Sequence, residues 1–232
     1  MIDGLFRRLG RNGATDPVEP VEPLGDPEGG PAAHPAVERE EEFAAYTEDC
    51  RIFGFIRHRA ERLSDHLNAT RSVHLESVLL VSLDDGRTVE AREMTVERDE
   101  LLAVRAAGLR GNAARRSRTR PSPIILKTGP YVIHGYLHVR PGSDPIQHLR
   151  SRRAMVPLTG AWIEYRAVGE HHRARIGTIV VNRELIDWAD RSRDEDVRIQ
   201  LPVEATIDPR AKDMTGHVLV GHRESREIID PA

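Results

Sequence analysis

The reading of the fold turns on Ile52–Asn68, IFGFIRHRAERLSDHLN, because Val132–Arg150, VIHGYLHVRPGSDPIQHLR, repeats its plan further along the chain. Each stretch is an apolar run broken by one glycine, then a charged or Pro-Gly loop, then a short piece containing His-Leu. Laid on each other, the two blocks match in order. Thr47 meets Thr128, Ile52 meets Ile133 and Gly54 meets Gly135. His66-Leu67 meets His148-Leu149, Val73-x-Leu75 meets Val156-x-Leu158, and Glu100-Leu101 meets Glu184-Leu185. The offset creeps upward one residue at a time, and each step falls in an expected loop, as duplicated domains drift. A glycine inside a strand weakens it unless the backbone must bend or approach another backbone closely. Gly54 and Gly135 therefore read as structural bends that let one strand of a small barrel pair on two sides.

Around the glycines the chain is mainly β. YTEDCRIFGFIRH and LKTGPYVIHGYLHV carry β-branched and aromatic residues with turn formers beside them, and SVHLESVLLVSL and AMVPLTGAWIEY follow. Asp84-Asp85-Gly86 reads as a hairpin turn into a strand near Thr88–Val96, and Val168-Gly169-Glu170 is its counterpart before RARIGTIVV. DELLAV and RELIDWA close the two blocks, while LSDHLN and DPIQHLRS each suffice for one helical turn. The expected organisation is a barrel repeat over 43–107, a second over 124–191, and a β extension or tail over 192–232 with strand candidates in VRIQLPVEATI and GHVLVG.

Two connecting segments contrast in charge. Residues 13–42 are acidic and rich in Pro and Gly, with almost nothing bulky to bury, so a disordered arm is expected. Ahead of it, Ile2, Leu5, Phe6 and Leu9 recur at helical spacing over 1–12, the pattern of a short amphipathic helix that docks on a protein partner or touches a membrane surface. Residues 108–123 hold Arg110, Arg115, Arg116, Arg118 and Arg120 without a single acid, a composition that suits phosphates or an acidic partner and equally a solvated connector.

Composition bounds the rest. The net charge of −3 argues against a protein built wholly to coat nucleic acid. One cysteine, Cys50, allows no internal disulfide and no cysteine-based zinc site, and it reads as a small core residue. No apolar run reaches the roughly 18 residues of a membrane span, and the start lacks a signal-peptide core, so the cytoplasm is the expected location. No phosphate-cradling glycine loop or nucleophile elbow is present, so no catalytic residue and no cofactor is assigned. His134 and His138 would share a strand face but stand about 13 Å apart, too far for one ion, so no metal site is assigned either. Phe53, Phe55, Tyr131 and Tyr136 flank the two glycines and divide between core and surface, where an outward ring would offer a stacking platform.

The order of an apolar strand, a G-x-apolar strand, a loop, a V-x-L strand, a hairpin and IGTIVVNRELIDWA resembles the Sm-like small β-barrel. The resemblance covers each repeat but neither linker nor the tail. It implies two tandem five-stranded barrels, assembly through open strand edges, and RNA binding through an Asp-x-x-x-Asn-type loop. Asp65 and Asn68 stand near that pattern, one residue short of its spacing, and acidic residues occupy the positions of the family's Arg-Gly loop. The stretch Arg62–Asn68 is also similar to an uncharacterised bacterial domain. The function expected from this is a non-catalytic interaction or scaffold protein that binds a protein partner or copies of itself through barrel edges and loops. The alternative is an RNA- or single-strand-binding protein using the arginines of 108–123 with Asp65 and Asn68.

Overall fold

The computed structural model describes residues 38–106, 118–204, 206–212 and 218–221. The expected N-terminal helix with Ile2, Leu5, Phe6 and Leu9 lies outside them, as do Arg110, Arg115, Arg116 and most of the acidic arm. One order of elements runs twice. The first half comprises β1 (Arg39–Tyr46), β2 (Cys50–His58), helix α1 (Leu63–Ala69), β3 (Ser72–Ser82), β4 (Thr88–Glu97), a 3-10 turn (Arg98–Glu100) and β5 (Ala103–Arg105). The second comprises β6 (Arg120–Thr128), β7 (Tyr131–Val139), α2 (Pro145–Ser151), β8 (Met155–Ala167), β9 (Glu170–Asn182), a 3-10 turn (Arg183–Leu185) and β10 (Trp188–Arg191). A helical turn α3 (Asp194–Val197) follows, then β11 (Thr206–Lys212) and β12 (Val218–Gly221), which form a separate two-stranded sheet.

Local chemistry explains the element ends. Asp144 accepts the Gln147 N–H at 2.9 Å and Pro145 takes the first helical turn, where its missing N–H costs nothing, so α2 starts there. Val168 and Gly169, at φ 52° and 78°, supply the two left-handed residues that a twist-matched hairpin turn needs between β8 and β9.

All ten strands of the two halves form one antiparallel sheet in the order β10-β6-β7-β8-β9-β5-β1-β2-β3-β4. This corrects the expectation of two separate closed barrels. β5 pairs with β1 of its own half on one side and with β9 of the other half on the other, and the sheet does not close. A buried strand cannot leave one row of N–H and C=O groups unmatched, and β9 supplies the partners that β4 does not.

Gly54 and Gly135 do occupy equivalent places. Phe53 faces Leu79 while Phe55 faces Glu76, and His134 faces Trp162 while Tyr136 faces Thr159, so the register slips beside each glycine. The extra residue sits on the facing strand, where Ser77 (φ 51°) and Gly160 (φ 58°) turn left-handed to make the bulge. A Cβ on Gly54 would lie 3.1 Å from the Glu76 carbonyl oxygen, and one on Gly135 would lie 3.1 Å from Leu158 Cβ. Close approach, not turn geometry, requires glycine at both.

Each half has its own core. Ile52, Leu67, Val73 and Leu75 lie in one, and their repeated counterparts Ile133, Leu149, Val156 and Leu158 lie in the other. The cores exchange residues where they meet: Tyr46, Leu83, Leu102 and Ala103 pack in the second, and Ala154, Met155 and Val180 in the first. The match of Glu100-Leu101 with Glu184-Leu185 shifts by one, because the two 3-10 turns begin at Arg98 and Arg183. Both linkers are shorter than their composition implies. The acidic run ending at Glu42 already belongs to β1, where Arg57 and Arg210 donate to Glu40 and His58 donates to Glu41. Arg120–Pro123 already belongs to β6, at the end that β10 does not cover, so Pro121 and Pro123 interrupt no ladder on that side.

Candidate functional site: the joint and its open counterparts

The joint between halves is built from few residues. Ala103, Val104 and Arg105 of β5 face Val181, Val180 and Ile179 of β9, and all but Arg105 are buried. Two asparagines clasp it. The Asn182 N–H donates to the Leu102 carbonyl at 2.9 Å and its Nδ2 to the Arg98 carbonyl at 3.1 Å, while Oδ1 accepts from the Glu184 N–H. Asn68 Nδ2 donates to the Met155 carbonyl at 2.8 Å and Oδ1 accepts from the Met155 N–H at 3.0 Å. At the far end the Val168 N–H donates to the Leu83 carbonyl at 2.7 Å, so the two hairpin tips touch.

The matching order of elements in the two halves places open counterparts of this joint at the two ends of the sheet. Leu75 faces Met94 and Val73 faces Val96, as Leu158 faces Ile179 and Val156 faces Val181, so Met94-Thr95-Val96 of β4 corresponds to the receiving strand. Lys127 faces Trp188 as Tyr46 faces Ala103, so Trp188-Ala189-Asp190 of β10 corresponds to the inserted one. β4 and β10 are the sheet's edges. Trp188 stands 45% exposed where Ala103 is buried in the joint. The clasps have no repeats: Glu97 occupies the place of Asn182, and Arg150 that of Asn68.

The C-terminal segment crosses the face of both halves. In the second half, Trp162 Nε1 donates to the Asp196 carbonyl at 2.9 Å and Tyr136 donates to Asp194 at 2.7 Å. In the first half Arg210 lies 3.5 Å from the Phe55 ring centroid and pairs with Glu40. Midway, Glu204 is buried among residues from both halves. Tyr46 donates to its Oε2, Tyr165 reaches Oε1 at 3.5 Å, and Arg51 NH1 lies 3.6 Å from Oε1 while donating to Tyr165 at 2.9 Å. Tyr46, Tyr131 and Tyr165 form an aromatic trio with centroids 5.3 to 6.5 Å apart. Burial, reinforced by the Glu204 charge, pushes the Tyr46 hydroxyl well above its ordinary range. Burial pushes Tyr165 up to about 12, and the Tyr131 hydroxyl is buried and unpartnered among the described residues.

The residues singled out by the sequence scatter over this frame. Asn68 is near Asp65 on α1, but its amide is committed to the joint while Asp65 is exposed. Arg118 is exposed just ahead of β6 and Arg120 is exposed at its start. Phe53 and Tyr131 are buried, whereas Phe55 and Tyr136 are covered by Arg210 and Asp194 of the crossing segment. His134 stacks on Trp162 at 3.8 Å and His138 meets Thr159 at 2.9 Å. Among the described residues no group of three or more His, Cys, Asp or Glu is placed to hold a metal ion, and no helix is long and apolar enough to cross a membrane. Tyr46, Arg51, Tyr165 and Glu204 escape a reading by motif, because they come from three strands and the segment between α3 and β11. No family model, curated protein or solved structure matches the chain.

Proposed function

We propose that the chain is a non-catalytic scaffold that joins copies of itself head to tail, each half being a Sm-like unit from an internal duplication. The observation that carries this is the joint itself: the chain already makes one pairing of this kind internally, through β5 and β9, and leaves the repeated partners β10 and β4 at its two edges. Copying the register predicts Trp188 opposite Val96, Ala189 opposite Thr95 and Asp190 opposite Met94 of a neighbouring copy. The next pair would set Arg191 against Glu93, opposite charges across the strands. Such a contact joins two different surfaces, so it propagates into a ring or filament. Without the asparagine clasps it is weaker than the internal joint and depends on concentration.

Light scattering over a hundredfold range of chain concentration tests it. Trp188→Lys spoils one edge. Thr95→Pro spoils the other by removing an N–H that faces outward, since the corresponding Val180 lies opposite Pro157 on β8 and turns its N–H to β5. The wild type should grow with concentration, each variant should stay monomeric, and a mixture of the two should stop at heterodimers. A wild type that stays monomeric at every concentration sinks the proposal. Nucleic acid that co-purifies and is stripped by salt would favour the RNA reading instead.

A further inference from the structure

The tripeptide that enters the buried cluster is Pro202-Val203-Glu204, and the same tripeptide occurs at Pro17-Val18-Glu19 and Pro20-Val21-Glu22. We propose that the cleft holding Pro202–Glu204 is a docking site for Pro-Val-Glu segments, and that the N-terminal stretch Asp16–Leu24, DPVEPVEPL, is its alternative occupant.

β5 covers only Ile179–Val181 of β9, which leaves the β9 edge open around Arg175. There Val203 forms a parallel bridge with Arg175: the Arg175 N–H donates to the Pro202 carbonyl at 2.8 Å, and the Glu204 N–H donates to the Arg175 carbonyl at 3.0 Å. Tyr46 and Tyr165 reach the carboxylate from two different halves, with Arg51 beside it. Val203 points to solvent, 49% exposed, and adds little. Everything the cleft reads is therefore the carbonyl of the first residue plus the N–H and carboxylate of the third. Proline in the first place gives nothing up, because only its carbonyl is used. Both N-terminal copies carry the same groups, and in each the glutamate precedes a proline (Pro20 and Pro23), a neighbour that disfavours helical backbone in any chain. Strand addition with one side-chain pocket is a general mode of peptide capture. Two backbone bonds and one carboxylate make the C-terminal occupant exchangeable, while α3 and β11 keep the rest of its segment anchored.

The probe is a fluorescent peptide of residues Asp16–Leu24, with anisotropy on the full chain as the readout. A chain carrying Glu19→Gln, Glu22→Gln and Glu204→Gln removes the carboxylates that compete for the cleft and should bind the peptide saturably. The wild-type chain should bind at least tenfold more weakly, because its own segments compete. A peptide with Gln at both glutamate positions should also lose at least tenfold. Absent binding to a triple variant with native circular dichroism, or equal binding of the Gln peptide, overturns the proposal. Should the triple variant fail to fold, amide exchange in the wild type decides. Excess peptide should speed exchange at Glu204 while Arg175 stays protected, and an unchanged Glu204 at saturating peptide overturns it. Neither result depends on whether the copies assemble.

Discussion

The tyrosines around Glu204 are held protonated by burial, and this has a sign in solution. Tyr165 is raised to about 12 from an ordinary value of 10, and Tyr46 is raised well above that ordinary value too. An unfolded chain releases these protons from about pH 10, while the folded chain keeps them, so stability is complete below pH 10 and falls as pH rises toward 12. Chemical denaturation at pH 9 and pH 11 should show a loss on the order of 2 kcal/mol. Tyr165→Phe should lessen it. At the acid side, burial holds His134 below 6.5, with Arg173 adding to the effect and Glu164 and Asp196 opposing it. The unfolded chain takes the proton first, so stability present above pH 6.5 falls as pH drops below it. Thermal melting at pH 7.5 and 5.5 should register this fall, and His134→Phe, which keeps the stack on Trp162, should reduce it. The strand glycines give a third expectation. A methyl on Gly135 would meet Leu158 Cβ at 3.1 Å and Ala161 Cβ at 3.2 Å, so Gly135→Ala should cost about 1–3 kcal/mol in urea unfolding.

Among the elements, β5 depends most on its neighbours. Three residues cannot hold an isolated strand, and β5 persists because β1 and β9 satisfy its two edges. Asn182 secures that arrangement with one backbone and two side-chain bonds while only 1% exposed. Asn182→Ala would leave the Arg98 carbonyl and the Glu184 N–H without those partners, and should cost about 1–3 kcal/mol. Hydrogen exchange should show the loss concentrated at Leu102–Arg105, and uniform loss across the chain would contradict it. The existence of the strands was legible because the two-residue spacing of Ile52, Gly54 and Ile56, or of Val73 and Leu75, states which residues turn inward. The bulge at Ser77 was not legible. A serine at positive φ carries no local sequence signal, and its partner Gly54 announced only that a close approach was coming.

For the molecule as a whole, one sheet with two cores raises the question of whether the halves unfold apart. They share residues: Tyr46 and Leu102 pack in the second core, and Met155 and Val180 in the first. Opening either half strips buried surface from the other, so urea unfolding should follow a single transition seen alike by circular dichroism and tryptophan fluorescence. Both tryptophans lie in the second half, so a fluorescence midpoint that departs from the circular dichroism midpoint would show the halves to be independent. The candidate site belongs to this scale too. Its glutamate comes from the C-terminal segment and its tyrosines and arginine from β1, β2 and β8, so no spacing in the chain brings them together.

The sequence by itself determined that the chain is mainly β, which apolar positions turn inward, and that β2 and β7 each carry a glycine where another backbone comes close. Those are local consequences of side-chain period and of space near a backbone, and they need only the residues of one block. What only the tertiary structure decided is that the fifth strand of the first block leaves its own fourth strand and pairs with the other block, so that two expected barrels become one sheet. Backbone N–H and C=O groups are alike at every residue but proline. Which edge a short strand joins is therefore set by the clasps and buried surface around it, and here Asn68 and Asn182 set it from far along the chain.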